Sequence, residues 1–155
     1  MLVTDQARNH PALTDAETGL ANRLHFDLVY TYLFLAGNRG LPFTVMLVSA
    51  GSNEHADEAE IHTLGKAIAA TTRNSDLVSH VGAGRYVVLL LGTNLQGARI
   101  AADRMEMALR EPAPGPICFG MAAYRDSYTD AQELLRAADT ALLAAEAAGG
   151  GVEFA

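Results

Sequence analysis

The stretch that decides the fold is DLVSHVGAGRYVVLLL, residues 76–91. Two apolar runs, 77–81 and 86–91, flank the short segment Gly82-Ala83-Gly84. Glycine reaches the positive φ angles of tight hairpin turns without a steric penalty. The pattern therefore predicts a β-hairpin with a glycine-dependent turn near the middle of the chain.

Helical patterns lie on both sides of this hairpin. Ile61, Leu64, Gly65 and Ile68 are spaced three and four residues apart within residues 57–72, which is typical of an amphipathic helix. Three segments have the spacing of a capping box, in which a hydroxyl residue precedes an acid or amide by three positions: residues 14–17, 93–96 and 129–132. They predict a short turn before Gly19 and the starts of two helices, which end near residues 109 and 149.

Further segments complete the predicted order of elements. Residues 24–36 are interpreted as the first helix, and residues 43–48, 117–123 and 152–154 as strands. The resulting order, α-β-α-β-β-α-β-α-β, predicts an α+β fold with a split β-α-β-β-α-β core of ferredoxin-like type. We expect a mostly antiparallel central sheet flanked by helices. Residues 1–13 form a lead or linker, and residues 14–155 form a single domain.

Composition excludes several classes of protein. The formal net charge of −7 argues against binding to a nucleic acid backbone. The longest apolar run, residues 26–36, is far shorter than the ~20 residues of a membrane span, so no membrane contact is expected. A single cysteine, Cys118, is typical of a reducing, cytoplasmic setting. The five histidines show no metal-ligand spacing, so we expect surface or turn roles and no metal site.

Four segments resemble the GGDEF family of diguanylate cyclases. Residues 15–23, DAETGLANR, are similar to the family's opening D-x-L-T-G-L-x-N-R. Residues 76–90 are similar to D-L-V-x-R-x-G-G-D-E-F-x-x-L-L, and residues 138–146 to A-D-x-A-L-Y-x-A-K. Residues 118–122 fit the family's S-I-G-x-A strand. The four segments stand in the family's order and together span nearly all of the chain from Asp15.

The departures from these motifs bear on activity. The resemblance implies an enzyme that joins two metal-bound GTP molecules across a homodimer, which requires carboxylates for Mg²⁺ and cations for the phosphates. Ser49 and Gly51 stand where the family has its first-strand acids, and the signature is replaced by Gly82-Ala83-Gly84-Arg85-Tyr86. Glu146 replaces the phosphate-binding lysine, and residues 52–58 lack the family's base-binding segment. We therefore expect a degenerate domain with no catalytic residues, no metal and no cofactor.

One ligand site of the family is retained in the sequence. Arg73-Asn74-Ser75-Asp76 matches the R-x-x-D motif at which many cyclases bind their product, cyclic di-GMP, and Arg104 stands where a further arginine often completes that site. Arginine makes bidentate bonds to phosphate and to the guanine edge. The ordinary alternative is that Arg73 lies exposed at a helix end and that Asp76 caps a turn. Because Arg73 follows the apolar stripe of its helix, its loss is expected to change stability little.

Three functions remain open at this point. The first is a non-catalytic signalling module that binds cyclic di-GMP, and the second is a ligand-free interaction or dimerisation domain. The third is an enzyme with altered nucleotide chemistry that uses Asp57 and Glu58. Tyr30, Tyr32 and Phe34 cannot all face one core, which predicts that the first helix contacts another domain of a longer chain, a protein partner or a second copy.

Overall fold

The predicted alternation of helices and strands is confirmed in the computed structural model, which describes residues 10–50, 57–82 and 84–155. A short 3-10 helix, Pro11–Leu13, precedes the α-helices α1 (Arg23–Gly37), α2 (Glu58–Ala70), α3 (Leu95–Leu109) and α4 (Ala131–Ala147). The strands are β1 (Phe43–Ser49), β2 (Leu77–Gly82), β3 (Arg85–Leu91), β4 (Cys118–Ala123) and β5 (Gly151–Phe154).

The strands form one sheet in the order β2-β3-β1-β4-β5. Strand β1 is antiparallel to both β3 and β4, and β2 is antiparallel to β3. Strand β5 pairs parallel to β4 at the edge. This arrangement confirms the α+β prediction and the mostly antiparallel sheet.

All seven residues of β1 are buried, because helices cover both faces of the sheet. Alternate strand residues point to opposite faces. Val45 and Leu47 therefore pack with α1 and α4, whereas Met46 and Val48 pack with α2 and α3. A strand covered on both faces is expected to be mostly apolar, and in β1 only Thr44 and Ser49 are polar.

The β2–β3 hairpin has the predicted glycine-dependent turn. Gly82 and Gly84 have φ angles of 109° and 71°, which are strained for other residues. The pairing register shifts between His80 and Gly82, where the hairpin approaches its turn. Ala83 lies outside the described residues.

The capping residues differ from the sequence prediction by one position. The side chains of Asn94 and Asp130, not those of Thr93 and Thr129, cap α3 and α4. The predicted short turn before Gly19 is confirmed by the hydrogen bond from the Gly19 nitrogen to the carbonyl of Asp15. Its cap is the carboxylate of Asp15, not the hydroxyl of Thr14, and it accepts from the backbone nitrogen and hydroxyl of Thr18. Asparagine and aspartate are preferred over threonine as N-cap residues, which agrees with the choice of Asn94 and Asp130.

Helix α1 divides its aromatic residues between the core and the surface. Tyr30 is buried and its hydroxyl donates to the carbonyl of Ala131, while Phe34 packs edge-on against Tyr124. Tyr32 points away, with 71% of its surface exposed. It belongs to an exposed row that we name the α1 outer face: Leu24, Leu28, Tyr32 and Leu35. Within the described ranges, no helix is both long and apolar enough to cross a bilayer.

Close contact between β4 and α4 requires the glycine at position 120. A Cβ atom on Gly120 would lie 2.2 Å from the backbone nitrogen of Leu142 and 2.5 Å from the carbonyl oxygen of Ala138. Both atoms belong to the α4 backbone, which cannot move without displacing the helix.

We expect Gly120→Ala to lower the free energy of unfolding by about 1–3 kcal/mol, as for other overpacked cores. Gly115→Ala is the matched control, because no atom lies within 4 Å of a Cβ at that position. Urea denaturation of both variants measures the effect. Equal midpoints for the two variants would contradict the close approach of α4 to β4.

Candidate functional site

Arg73 and Asp76, from the loop between α2 and β2, line one cleft together with Arg104 from α3. The cleft has a volume of about 470 Å³ and lies between the end of α2, the end of β3 and helix α3. Its size falls within the usual range for small-molecule sites, roughly 300–1,000 Å³. We name it the Arg73 cleft. The three residues that the sequence predicted as a ligand site therefore border the same space.

Asp76 organises one wall of this cleft. Its side chain is only 3% exposed, and it accepts hydrogen bonds from the backbone nitrogens of Arg73 and Leu91 at 3.0 and 3.2 Å. It also pairs with the Arg73 guanidinium, whose Nε and Nη2 lie 3.3 Å from its two oxygens. The turn-capping role considered for Asp76 is thus observed in the structure.

Arg73 is held more firmly than the sequence suggested. Its Nη2 donates to the carbonyl of Leu91 and to the hydroxyl of Thr93, each at 2.8 Å. The side chain thus connects the end of α2 to the end of β3, and these contacts argue for a larger effect on stability than the sequence predicted. The sequence did not indicate Thr93 as a partner, since it was interpreted as a helix cap.

Arg104 differs from Arg73 in its contacts. No hydrogen bond or ion pair of Arg104 is found within the described part of the chain, although the side chain lines the cleft. The Nη1 atom of Arg73 also makes no hydrogen bond to any described residue, and the Arg73 side chain is 56% exposed. The cleft thus carries two guanidinium groups with donors that the described residues leave available.

A second group of residues surrounds the hairpin turn, at the opposite end of β3. Ser49 is the last residue of β1. It pairs with Arg85 of β3 on one side and with Cys118 of β4 on the other. Ser49 and Cys118 are both buried. Burial, with a further contribution from the nearby Glu146 carboxylate, raises the pKa of the Cys118 thiol. This end of the sheet therefore presents a hydroxyl and a neutral thiol.

Arg85 and Glu146 form an ion pair at the same end of the sheet. The Arg85 Nη2 atom lies 2.7 Å from the Glu146 Oε1 atom, and its Nη1 atom lies 4.0 Å from an Asp139 oxygen. Both residues reverse the charges of the family motifs, which have an acid in the signature and a lysine on the last helix. A guanidinium beside these carboxylates opposes the binding of Mg²⁺, so the residues present do not fit the family's metal.

The last signature position is filled by a tyrosine that is fully buried. The Tyr86 hydroxyl donates to the carbonyl of Ile61 at 2.8 Å, and burial raises its pKa above the usual range. This bond connects β3 to α2, so Tyr86 has a structural role in the described chain. Gly51 and residues 52–56 lie outside the described residues. Asp57, proposed above as a substitute acid, caps α2 by accepting from the Glu60 nitrogen.

The family of the chain is established by comparison with known proteins. The family described as "Diguanylate cyclase, GGDEF domain" matches residues 54–151, more than half of the chain. The chain therefore belongs to the GGDEF family. A search of curated proteins found no match.

Solved structures share the fold. The GGDEF domain of PA1120 (TpbB or YfiN) from Pseudomonas aeruginosa is 22% identical, with a TM-score of 0.77, and the match covers 92% of this chain and 94% of that one. The coiled coil and GGDEF domain of DgcB from Caulobacter crescentus, in complex with c-di-GMP, is 16% identical, with a TM-score of 0.82 and coverage of 98% and 90%. Diguanylate cyclase SiaD of P. aeruginosa, in complex with its activator SiaC, is 21% identical, with a TM-score of 0.81 and coverage of 98% and 65%.

Proposed function

We propose that this GGDEF domain is a non-catalytic, cytoplasmic signalling module that binds cyclic di-GMP in the Arg73 cleft. The observation that carries the proposal is the convergence of Arg73, Asp76 and Arg104 on one cleft of about 470 Å³. The DgcB domains, which are similar in fold, are solved in complex with c-di-GMP. That likeness supports the ligand class.

The roles of the three residues follow from their contacts. Arg73 and Arg104 supply charge-assisted hydrogen bonds to the phosphates or guanine edges of the ligand. Asp76, the third residue of the predicted site, is a positioning residue, because its two oxygens already accept four hydrogen bonds, three of them from Arg73. The protein itself needs no metal in this proposal, since cations of the cleft balance the phosphate charge.

The absence of cyclase activity is inferred from the opposite end of β3. Arg85 replaces an acid of the family signature, and Glu146 replaces the family's phosphate-binding lysine. The two side chains form an ion pair. The pair places a cation where the family has a metal ligand and an anion where the family has its phosphate contact. Both reversals oppose the binding of a metal triphosphate.

We expect the purified domain to form no cyclic di-GMP from GTP in the presence of Mg²⁺ or Mn²⁺. Chromatographic detection of the product, with an active GGDEF domain assayed in parallel, measures this. Product that rises in proportion to the concentration of this protein would contradict the proposal.

Arg104→Ala gives the cleanest test of ligand binding, because no described residue depends on its side chain. Loss of its charge-assisted hydrogen bonds, worth about 1.5–3 kcal/mol, should weaken cyclic di-GMP binding roughly 10- to 100-fold in isothermal titration. Arg73→Ala should abolish detectable binding but also lower stability by about 1–2 kcal/mol, because it removes hydrogen bonds to Leu91 and Thr93.

Arg99→Ala is the matched control for Arg104→Ala. It removes the same charge from the same helix, where Arg99 pairs with Asp103 outside the Arg73 cleft. Its affinity should stay within about twofold, as expected for a surface change of less than 0.5 kcal/mol. Equal losses for the two variants would show a general charge effect and no specific site. Absence of any binding heat from the unmodified domain would refute the ligand proposal itself.

A second candidate function is a ligand-free interaction domain, and the α1 outer face favours it. Four large apolar side chains on this face are exposed at spacings of four, four and three residues, so they share one side of the helix. Contiguous exposed apolar surface is typical of a contact with another chain or domain. We propose that this face binds a second copy of the domain.

Leu28→Glu should shift the domain from dimer to monomer, because it places a charge within the α1 outer face. Sedimentation velocity over a range of concentrations measures the distribution. Met107→Glu is the control, since Met107 is an exposed apolar residue on α3, away from that face. A domain that is monomeric throughout, before any substitution, would overturn the second-copy interpretation.

A further inference from the structure

Three possible metal ligands converge beside the hairpin, at a place unrelated to the Arg73 cleft. Asp15 and Glu17 lie in the turn that precedes α1, and His80 lies in strand β2. The His80 Nδ1 atom is 3.7 Å from an Asp15 oxygen and 3.9 Å from a Glu17 oxygen. One ligand atom from each residue lies within 4.8 Å of the other two.

The imidazole of His80 lacks the partners that a buried polar group normally has. Its side chain is only 9% exposed, and its Nε2 atom is buried without a hydrogen bond in the described part of the chain. The distances from Nδ1 to the two carboxylates are longer than a hydrogen bond. The Nδ1 atom faces both carboxylates and makes no hydrogen bond to a described residue, so it is the ring nitrogen that can bind a cation. His80 therefore differs from the surface or turn role expected from the sequence.

The two carboxylates complement the imidazole in different ways. The Asp15 Oδ2 atom is held by the backbone nitrogen and hydroxyl of Thr18, at 3.2 and 2.6 Å. Such hydrogen bonds orient metal-binding carboxylates in known sites. The Glu17 side chain is 49% exposed, so it can adjust its position and leaves a path to solvent. Asp15 is thus held in position by Thr18, His80 is buried, and Glu17 can change its conformation.

Two of the three residues are departures from the family motifs quoted above. Glu17 stands where the opening motif has leucine, and His80 stands where the signature segment has arginine. The combination of one imidazole and two carboxylates is therefore a feature of this chain and not of those motifs.

We propose that Asp15, Glu17 and His80 bind one divalent transition-metal ion of the zinc class, with water completing its coordination. Zinc accepts imidazole and carboxylate ligands at about 2.0–2.2 Å, which places neighbouring ligand atoms roughly 3.3–3.6 Å apart in a tetrahedron. The observed distances are 3.7 and 3.9 Å from Nδ1 to the carboxylates and within 4.8 Å between the carboxylates, so binding requires movement chiefly of the exposed Glu17 side chain. Mg²⁺ and Ca²⁺ prefer oxygen ligands alone, so the imidazole selects against them.

The ion would reinforce an existing connection between the turn and the sheet. The Ala21 nitrogen donates to the carbonyl of Val78 at 3.2 Å, and the Ser79 hydroxyl donates to the carbonyl of Ala21 at 2.7 Å. A metal bound to Asp15, Glu17 and His80 adds a third link between the same two segments. Because an ion that binds only the folded state stabilises it, metal binding should raise the melting temperature.

The test uses the protein without an affinity tag, stripped with EDTA and dialysed. Titration with ZnCl₂ should show one saturable site per chain, and thermal unfolding should shift upward with Zn²⁺ but not with equal Mg²⁺. Glu17→Gln should lower the Zn²⁺ affinity by at least about tenfold, the smallest effect usual for changes around a metal. The same variant should lose the thermal shift.

The variants separate this site from adventitious zinc binding. His62→Gln is the matched control, since it removes an exposed histidine from α2 and should leave affinity and thermal shift unchanged. His80→Gln should abolish Zn²⁺ binding. Because His80 is buried, the His80→Gln variant can fail to fold, and in that case the result for Glu17→Gln decides the test. Zinc binding that is absent, or that persists at full affinity in Glu17→Gln, would overturn the proposal, whatever the outcome of the cyclic di-GMP titration.

Discussion

Strand β1 lies at the centre of the sheet with all seven of its residues buried, so both edges and both faces must be covered at once. Antiparallel pairing with β3 and β4 covers the edges, and the two helical layers cover the faces. This constraint sets the register of β3. It places Arg85 beside Ser49 and carries Leu91 to the far end, where Arg73 and Asp76 bind it.

The two ends of β3 therefore have separate chemistry. Six residue steps of about 3.3 Å separate Arg85 from Leu91, a distance of roughly 20 Å. At one end, the charges of Arg85 and Glu146 neutralise each other. At the other end, the guanidinium groups of Arg73 and Arg104 have N–H donors that bind no described residue. The proposed absence of cyclase activity at the first end is thus compatible with the proposed ligand binding at the second.

Periodicity was sufficient to predict the elements, because hydrophobic spacing and glycine positions act locally. The hairpin at Gly82 and Gly84 and the helix at residues 57–72 followed from such patterns. The caps were misplaced by one residue, since Thr93 and Asn94 both have capping side chains and tertiary contacts decide between them. Thr93 is engaged by Arg73, which leaves Asn94 to cap α3. The sequence indicated that Tyr30, Tyr32 and Phe34 could not all face the core, but it did not indicate that Tyr32 is the exposed one.

Side-chain pairs distant in sequence could not be predicted in the same way. Arg85 and Glu146 are 61 residues apart, and neither motif alone indicates that the two reversed charges meet. The convergence of Asp15, Glu17 and His80 likewise depends on the turn before α1 docking against β2. Such contacts arise from the packing of whole elements, which composition and spacing do not specify.

The contacts of Arg73 join the structural and the ligand-binding interpretations of the R-x-x-D segment. Its bonds to Asp76, Leu91 and Thr93 hold a long side chain in one orientation before any ligand arrives. Ordering a free arginine at a binding site costs about 0.5–1.5 kcal/mol, and that cost is already met by folding. The Nη1 donors can then bind without further ordering of the side chain. In the proposed cyclic di-GMP site, the structural contacts of Arg73 therefore also preorganise it, whereas Arg104 would be ordered by the ligand.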